Sequence, residues 1–438
     1  MTIAEVYLWN TRIGAVALSA EESVAHFEYS SEFLQSGIEI SPIMMPVTNK
    51  VYSFPSLSYD SFAGLPGMLA DSLPDSFGQA LINVWLAKQG RAENSMNAVE
   101  RLCYTGERGM GALEFKPVYD NSLNKKQVIY IDSLTELASE IMKNRENISL
   151  HFSKSDHENS KAFSQILQIG TSAGGARAKA IIALNEKTNE VRSGQIKAGK
   201  GFRYFILKFD GIDSNRDKEE IDGDGYTNIE YAYYLMSRDA GIIMSESRLL
   251  SDKNRKHFIT KRFDRDDNGN KLHMQTLGGL AHYDFKMAGA YSYEQAFGVI
   301  RKLNLGYEAV EQMFRRMVFN VCAVNNDDHV KNISFLMNKK GIWSLAPAYD
   351  MTYSYNENGM WTNQHQMSIN GKRRHITRED ILLCGYSAGI KRADAKNTME
   401  DIEKAVGKWT DFANQAAVSN TNITKIQNSI NENGIQAD

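Results

Sequence analysis

Apolar residues recur along the chain with two different periods, and the change from one to the other divides it. Near the start they alternate in short runs. "AEVYLWN", "GAVALS" and "VAHFEYS" have the length and the β-branched or aromatic content of strands, with polar turns between them. In the same region "DSFGQALINVWLAKQG" has helical spacing in Phe77, Leu81, Val84 and Trp85. The stretch that leads into it carries Pro66, Gly67, Pro74 and Gly78 and reads as a shaped connector.

Strand character returns after "YTGERGMGALEF". "AFSQILQIG" and "AKAIIALN" are strand-like runs on either side of a small-residue loop holding Gly170, Gly174 and Gly175. Such a loop can bring backbone N–H groups close to a phosphate, or it can be an ordinary tight connection. It fails the Walker pattern, because Ala176 and Arg177 follow Gly175 where Lys and Ser or Thr are required. Next, "GFRYFILKFDG" alternates so that Tyr204, Ile206 and Lys208 share a face. Lys208 there either lines a cleft, where its ammonium can meet phosphate oxygens, or snorkels to water.

Two acidic stretches imitate calcium loops and lack the closing carboxylate. In "DGDGYTNIEYAYYLMSRDAG" the pair Thr227 and Glu230 instead predicts a capping box opening a helix through Tyr231, Tyr234 and Leu235. "DRDDNGNK" has Gln275 at its twelfth position and reads as a hairpin turn after "HFITKRF".

From about residue 275 the period is helical. Val310, Met313, Phe314, Met317, Val318, Val321 and Cys322 keep one face through "EAVEQMFRRMVFNVC". Two short strands follow, "ISFLM" and "GIWSLAP", joined by the turn sequence "NKKG". Near the end, Ile423, Ile426 and Ile430 form a helical stripe expected to pack within the chain. The expected organisation is an α+β chain in three parts: 1–120, 121–264 and a mainly helical 265–438.

Composition narrows the functions available. With 438 residues, 42% hydrophobic content and only 7 Pro, the chain has ample core material and is not a disordered scaffold. A formal charge of −3 argues against general nucleic-acid binding, so DNA contact would need a local patch or a partner. The three cysteines, Cys103, Cys322 and Cys384, are odd in number and far apart, which suits a reducing compartment. The chain offers no basic-then-apolar leader and no 18-residue apolar segment, so the expectation is a cytoplasmic protein without a membrane span.

The chemistry gathers in "VNNDDHVKNISF", residues 324–335. A hairpin returns the chain to its start, so Asp327, His329 and Asn332, before its first strand, should lie at the same end as Asp350, after its second. Two carboxylates and an amide there can hold Mg²⁺ through hard oxygens and orient a hydroxyl nucleophile. Asp327 and Asn332 also have the D-x-x-x-x-N spacing of a protein-kinase catalytic loop.

These residues carry a resemblance. "FAGLPGMLADSLPDSFG", "GERGMGALEF", "SAGGARAKA", "NNDDHVKNISF" and "LAPAYDMT" together resemble the HipA family of bacterial toxin serine/threonine kinases, over nearly the whole chain. The resemblance implies a bilobal, protein-kinase-like α+β fold with a β-rich N-terminal lobe and a mainly α-helical C-terminal lobe. It implies ATP and Mg²⁺ as cofactors, Asp327 as catalytic base, and Asn332 and Asp350 as metal ligands. Lys208 would contact the α- and β-phosphates, and Ala173, Gly174, Gly175, Ala176, Arg177, Ala178 and Lys179 would cover the nucleotide. Lys261, Arg262 and Phe263 match the segment that contacts adenine, with Lys261 replacing an acidic residue of the family. His329 and Lys331 fall in the nucleotide-binding segment, where His329 is equally a structural candidate. Ser172 matches a serine that the family autophosphorylates. A helix-turn-helix antitoxin of HipB type, operator DNA reached mainly through it, and an aminoacyl-tRNA synthetase target, with glutamyl-tRNA synthetase the leading candidate, complete what the family implies. The D-x-H-x-x-N pattern is shared with phosphoinositide kinases. A lipid or small-molecule kinase, or an inactive kinase-like docking module, are therefore the alternatives.

Overall fold

A computed structural model describes residues 1–74, 79, 82–83, 86–87, 91–92, 95–116, 179–188, 190–194, 197–210, 225–252 and 255–436. The helical spacing expected around Phe77, Leu81, Val84 and Trp85, the strand expected over 162–170 and the loop from Ser172 to Ala178 lie outside these residues. The chain forms two compact units, Met1–Asp224 with Leu250–Gln275 and Met337–Gly341, and Gly225–Leu249 with Thr276–Leu336 and Ile342–Asp438.

Among the described residues the first unit holds two sheets of five strands. In one, β1 (Thr2–Leu8), β2 (Thr11–Leu18), β3 (His26–Tyr29), β4 (Val51–Tyr52) and β5 (Leu113–Lys116) lie antiparallel in the order β4-β3-β2-β1-β5. Alternation sets its inner face: Ala4, Val6 and Leu8 of β1 and Val16 and Leu18 of β2 are buried. At Gly14 a Cβ would stand 2.2 Å from the Glu28 carbonyl oxygen, so only glycine lets β2 and β3 approach. Helix α1 (Ala98–Thr105) packs against β1. It starts from a capping box in which the Asn97 side chain accepts from the Glu100 amide and the Glu100 carboxylate accepts from the Asn97 amide.

The second sheet, ordered β7-β6-β8-β10-β9, contains β6 (Lys179–Asn185), β7 (Glu190–Ser193), β8 (Arg203–Lys208), β9 (Ser247–Asp252) and β10 (Arg255–Lys261). A short β11 (His273–Thr276) follows the expected turn, where Arg265 bridges Lys271 and the Gly269 amide bonds the Asp266 carbonyl.

The second unit is mainly helical: α2 (Tyr226–Asp239), α3 (Tyr293–Lys302), α4 (Tyr307–Cys322), α5 (Arg378–Ser387), α6 (Arg392–Val406), α7 (Trp409–Gln415) and α8 (Asn420–Asn433). Every apolar position expected on the inner face of α4 is buried. Ile423 and Ile426 of α8 are buried within the unit, and the Trp409 indole N–H bonds the Ile423 carbonyl. Residue Gly225, at φ 89, starts α2, and among the described residues no side chain caps it. The expected capping box of Thr227 and Glu230 is therefore a misreading. Both residues sit inside the first turns and are buried, because the left-handed glycine has already begun the helix upstream. Strands β12 (Ser334–Met337) and β13 (Trp343–Leu345) form the expected hairpin, with the Gly341 amide closing its turn on Asn338.

Candidate active site

In the second unit the segment expected to carry the chemistry starts where α4 ends. Val324 has φ 53, a conformation that strains a β-branched residue, and the Tyr233 hydroxyl holds the preceding Ala323 carbonyl at 2.6 Å. The segment then pairs with Ser354, which accepts from the Asn326 amide and donates to the Val324 carbonyl. A single 3₁₀ turn, Val330–Asn332, carries the chain into β12.

This path sets the side chains. The Asp327 side chain is 38% exposed, which leaves its carboxylate open to a substrate hydroxyl. Its backbone carbonyl accepts from the Asn332 amide nitrogen at 2.7 Å, so the Asn332 side-chain carbonyl oxygen is the atom left for a cation. His329 places Nε2 3.8 Å from the Asp327 carboxylate and its ring edge-on to Phe285, and the Lys331 ammonium lies 4.4 Å from the centre of that same ring. On the far side of the hairpin the Tyr349 hydroxyl donates to the Lys331 carbonyl and pairs with Ser334 Oγ. The two ends of the hairpin therefore meet as its geometry requires. Asp350, in the left-handed region at φ 53, lines one cavity with Asn332 and His329.

A carboxylate and an amide oxygen on one cavity fit Mg²⁺, which takes few protein ligands and keeps waters and phosphate oxygens for the rest. Among the described residues no group of three or more His, Cys, Asp or Glu is placed to hold a metal, so a closed protein cage is not what this site offers.

Sequence reasoning missed the neighbour of the expected base. Asp328 is 3% exposed and accepts from the Tyr293 hydroxyl at 2.8 Å, from the Gln366 amide at 2.7 Å and, at 3.0 Å, bonds His365 Nδ1. The Asn320 amide in turn donates to the Tyr293 hydroxyl, and Asn325 donates to Asn320. Burial, with the Asp328 carboxylate beside it, raises the Tyr293 phenol well above its ordinary pKa. These partners lie 35–38 residues away, beyond any local pattern. Arg316 on α4 lines the cavity too, and its only sequence signal is a charge at helical spacing from Met313 and Asn320.

In the first unit, register makes Lys179 of β6 and Lys208 of β8 direct antiparallel partners, so both side chains leave the same face of the sheet. Lys208 also has its ammonium 5.9 Å from the Phe258 ring centre. The adenine-segment residues separate. Lys261 pairs with Asp267 at 2.6 Å, and Phe263 is half-buried. Arg262 is buried, with its guanidinium clamped on Asp264 at 2.7 and 2.9 Å. Arg265 and the Gly111 amide reach the same carboxylate, and both arginines bond the Gly109 carbonyl. Burial alone would raise the Asp264 pKa; the two guanidinium groups and the Gly111 amide outweigh it and hold that pKa far below the usual carboxylate range. The Arg262 side chain is committed to this network, so it is not turned toward a ligand.

Comparison with known proteins decides the family. The model of the HipA-like C-terminal domain matches residues 171–409, more than half the chain, and that of the HipA N-terminal domain matches residues 4–116. The chain belongs to the HipA family. HipA of Shewanella oneidensis MR-1, solved in a toxin–antitoxin complex with HipB and operator DNA, has the same fold at 16% identity. The TM-score is 0.67, over 98% of this chain and 95% of that one. The expected α+β class thus holds for this HipA-family chain, with antiparallel sheets in the first unit and helices in the second. A protein of Haemophilus influenzae described as a putative kinase is 31% identical over 134 residues, which are 28% of this chain and 39% of that protein's length. Among the described residues no helix is long and apolar enough to cross a membrane.

Proposed function

We propose that this HipA-family chain is the toxin of a toxin–antitoxin pair and acts as an ATP- and Mg²⁺-dependent protein kinase on serine or threonine. One observation carries the reading: the Asp327 carboxylate is open, its own carbonyl orients Asn332, and Asn332 shares a cavity with Asp350. Asp327 accepts the proton of the incoming hydroxyl as the hydroxyl oxygen bonds the γ-phosphorus and the bond to the ADP oxygen breaks. Asn332 and Asp350 would hold the metal, which when bound would neutralise charge on the phosphate oxygens. Lys179 and Lys208 supply positive charge for the nucleotide phosphates, so most of the rate comes from positioning and electrostatics.

By analogy with the Shewanella complex, a HipB-like helix-turn-helix antitoxin binds this chain and carries it to operator DNA. An aminoacyl-tRNA synthetase is the target class to assay first, starting with glutamyl-tRNA synthetase, and Ser172 is the candidate for self-phosphorylation. A phosphate there would add close to two negative charges to the nucleotide loop and oppose ATP.

The test is incubation with ATP and Mg²⁺ followed by intact mass and peptide mapping, beside Asp327→Ala. Phosphate on Ser172 or on an added synthetase should appear with the parent and fall at least about 100-fold with the variant. A parent that binds no ATP would leave a kinase-like docking module as the better reading.

A further inference from the structure

Among the described residues the Asp327 carboxylate makes no hydrogen bond, and His329 Nε2 stands 3.8 Å from it, beyond bonding range. The direction in which Asp327 points is therefore set by the backbone on either side of it.

Side chains close that backbone into a ring. Asn325 Nδ2 donates to Asn320 Oδ1 at 2.9 Å, Asn320 Nδ2 donates to the Tyr293 hydroxyl at 2.9 Å, and that hydroxyl donates to Asp328 Oδ2 at 2.8 Å. The chain of bonds leaves the segment at Asn325 and re-enters it at Asp328, with Asn326 and Asp327 between. Its direction follows from its end. A carboxylate accepts, so the hydroxyl gives Asp328 its proton and itself accepts from Asn320, whose oxygen is then left for Asn325. Burial and the Asp328 carboxylate raise the Tyr293 phenol well above its ordinary pKa, which keeps that proton in place at neutral pH. Tyr293, Asn320, Asn325 and Asp328 are all buried, where bonds aligned in this way polarise one another.

Tyr293 is where the ring meets the helices. It is the first residue of α3, placed by the capping box of Ser292 and Gln295, and Asn320 lies in the last turns of α4. His365 and Gln366 also bond the Asp328 carboxylate, so Asp328 keeps partners without the hydroxyl. What the hydroxyl adds is the link from Asp328 to Asn320 and Asn325.

We propose that Tyr293 is a positioning residue for Asp327. Through Asp328 on one side and Asn320 and Asn325 on the other, its hydroxyl fixes the backbone that aims the Asp327 carboxylate at the incoming hydroxyl. The proposal rests on the kinase reading, in which Asp327 takes that proton.

The test follows ADP formation by the full chain with glutamyl-tRNA synthetase and Mg²⁺ over a range of ATP concentrations, for the parent, Tyr293→Phe, Asn325→Ala and the double variant. Thermal unfolding of each is recorded alongside. Tyr293→Phe should lower the rate at saturating ATP about tenfold or more, while the half-saturating ATP concentration stays within about twofold. Asn325 does not touch Tyr293, so independent structural losses would multiply in the double variant. Loss of one shared ring should instead leave the double variant within about twofold of the slower single one. A folded Tyr293→Phe with the parent's rate, or losses that multiply, would overturn the proposal. If Tyr293→Phe does not fold, Asn325→Ala decides: a slowed rate with unchanged ATP dependence supports the ring, and the parent's rate overturns it. A parent that forms no ADP sinks the kinase reading and this proposal together, whereas an active parent with indifferent variants sinks the proposal alone.

Discussion

Two adjacent aspartates show how far environment sets a residue's role. Asp327 and Asp328 are identical in sequence, yet one carboxylate faces solvent and the other holds three buried donors. Their alanine variants should therefore fail in opposite ways. Asp327→Ala should keep its stability within about 0.5 kcal/mol and lose phosphate transfer. Asp328→Ala strands the Tyr293 hydroxyl, the His365 ring and the Gln366 amide in a buried site and should cost about 3 kcal/mol. Urea unfolding of both variants separates the cases, and equal midpoints would show that Asp328 does not hold the segment as its bonds imply. Asp327 was singled out because a spacing rule covers it. Asp328 was not, because its partners come from another helix end and a distant loop.

Elements were legible where period and burial agree. The inner face of α4, the β12–β13 hairpin and the alternation of β8 were read from sequence because each is a local pattern with one buried side. The start of α2 was misread, since the Thr-x-x-Glu spacing also occurs inside a helix begun by a left-handed glycine. Helix α5 shows a cap whose worth depends on pH. Its Thr377 and Asp380 form a capping box, and Asp380 also accepts from Lys372 at 2.8 Å and Asn370 at 2.9 Å. Burial raises the Asp380 pKa, but the Lys372, Thr377 and Asn370 bonds outweigh it and bring it to about 2. The folded value lies below the unfolded one of about 3.9, so this stabilisation is complete above that pH and is lost as pH falls from about 4 to about 2. Thr377→Ala should cost about 1 kcal/mol at neutral pH and flatten the acid branch of a melting-temperature profile. A parallel profile, shifted without change of slope, would remove Asp380 from the acid transition.

For the whole molecule, the charge balance bears on the proposed partnership with an antitoxin and operator DNA. Fifty basic residues against 53 acidic ones leave a formal charge of −3, and a phosphate backbone gains nothing on average from such a surface. In the most basic short stretch, Lys372 to Arg374, Lys372 is exposed but paired with Asp380, Arg373 is half-buried and donates to the His365 carbonyl at 2.6 Å, and Arg374 is exposed. In fluorescence anisotropy at about 150 mM salt, this HipA-family chain alone should therefore show no binding tighter than the roughly 10⁻⁴–10⁻⁶ M of non-specific contacts, and no preference between operator and unrelated duplex. On the proposed function, adding a HipB-like helix-turn-helix antitoxin should produce operator-specific binding whose affinity falls steeply with salt. Saturable, operator-specific binding by the chain alone would place DNA recognition on this molecule and overturn that division of labour.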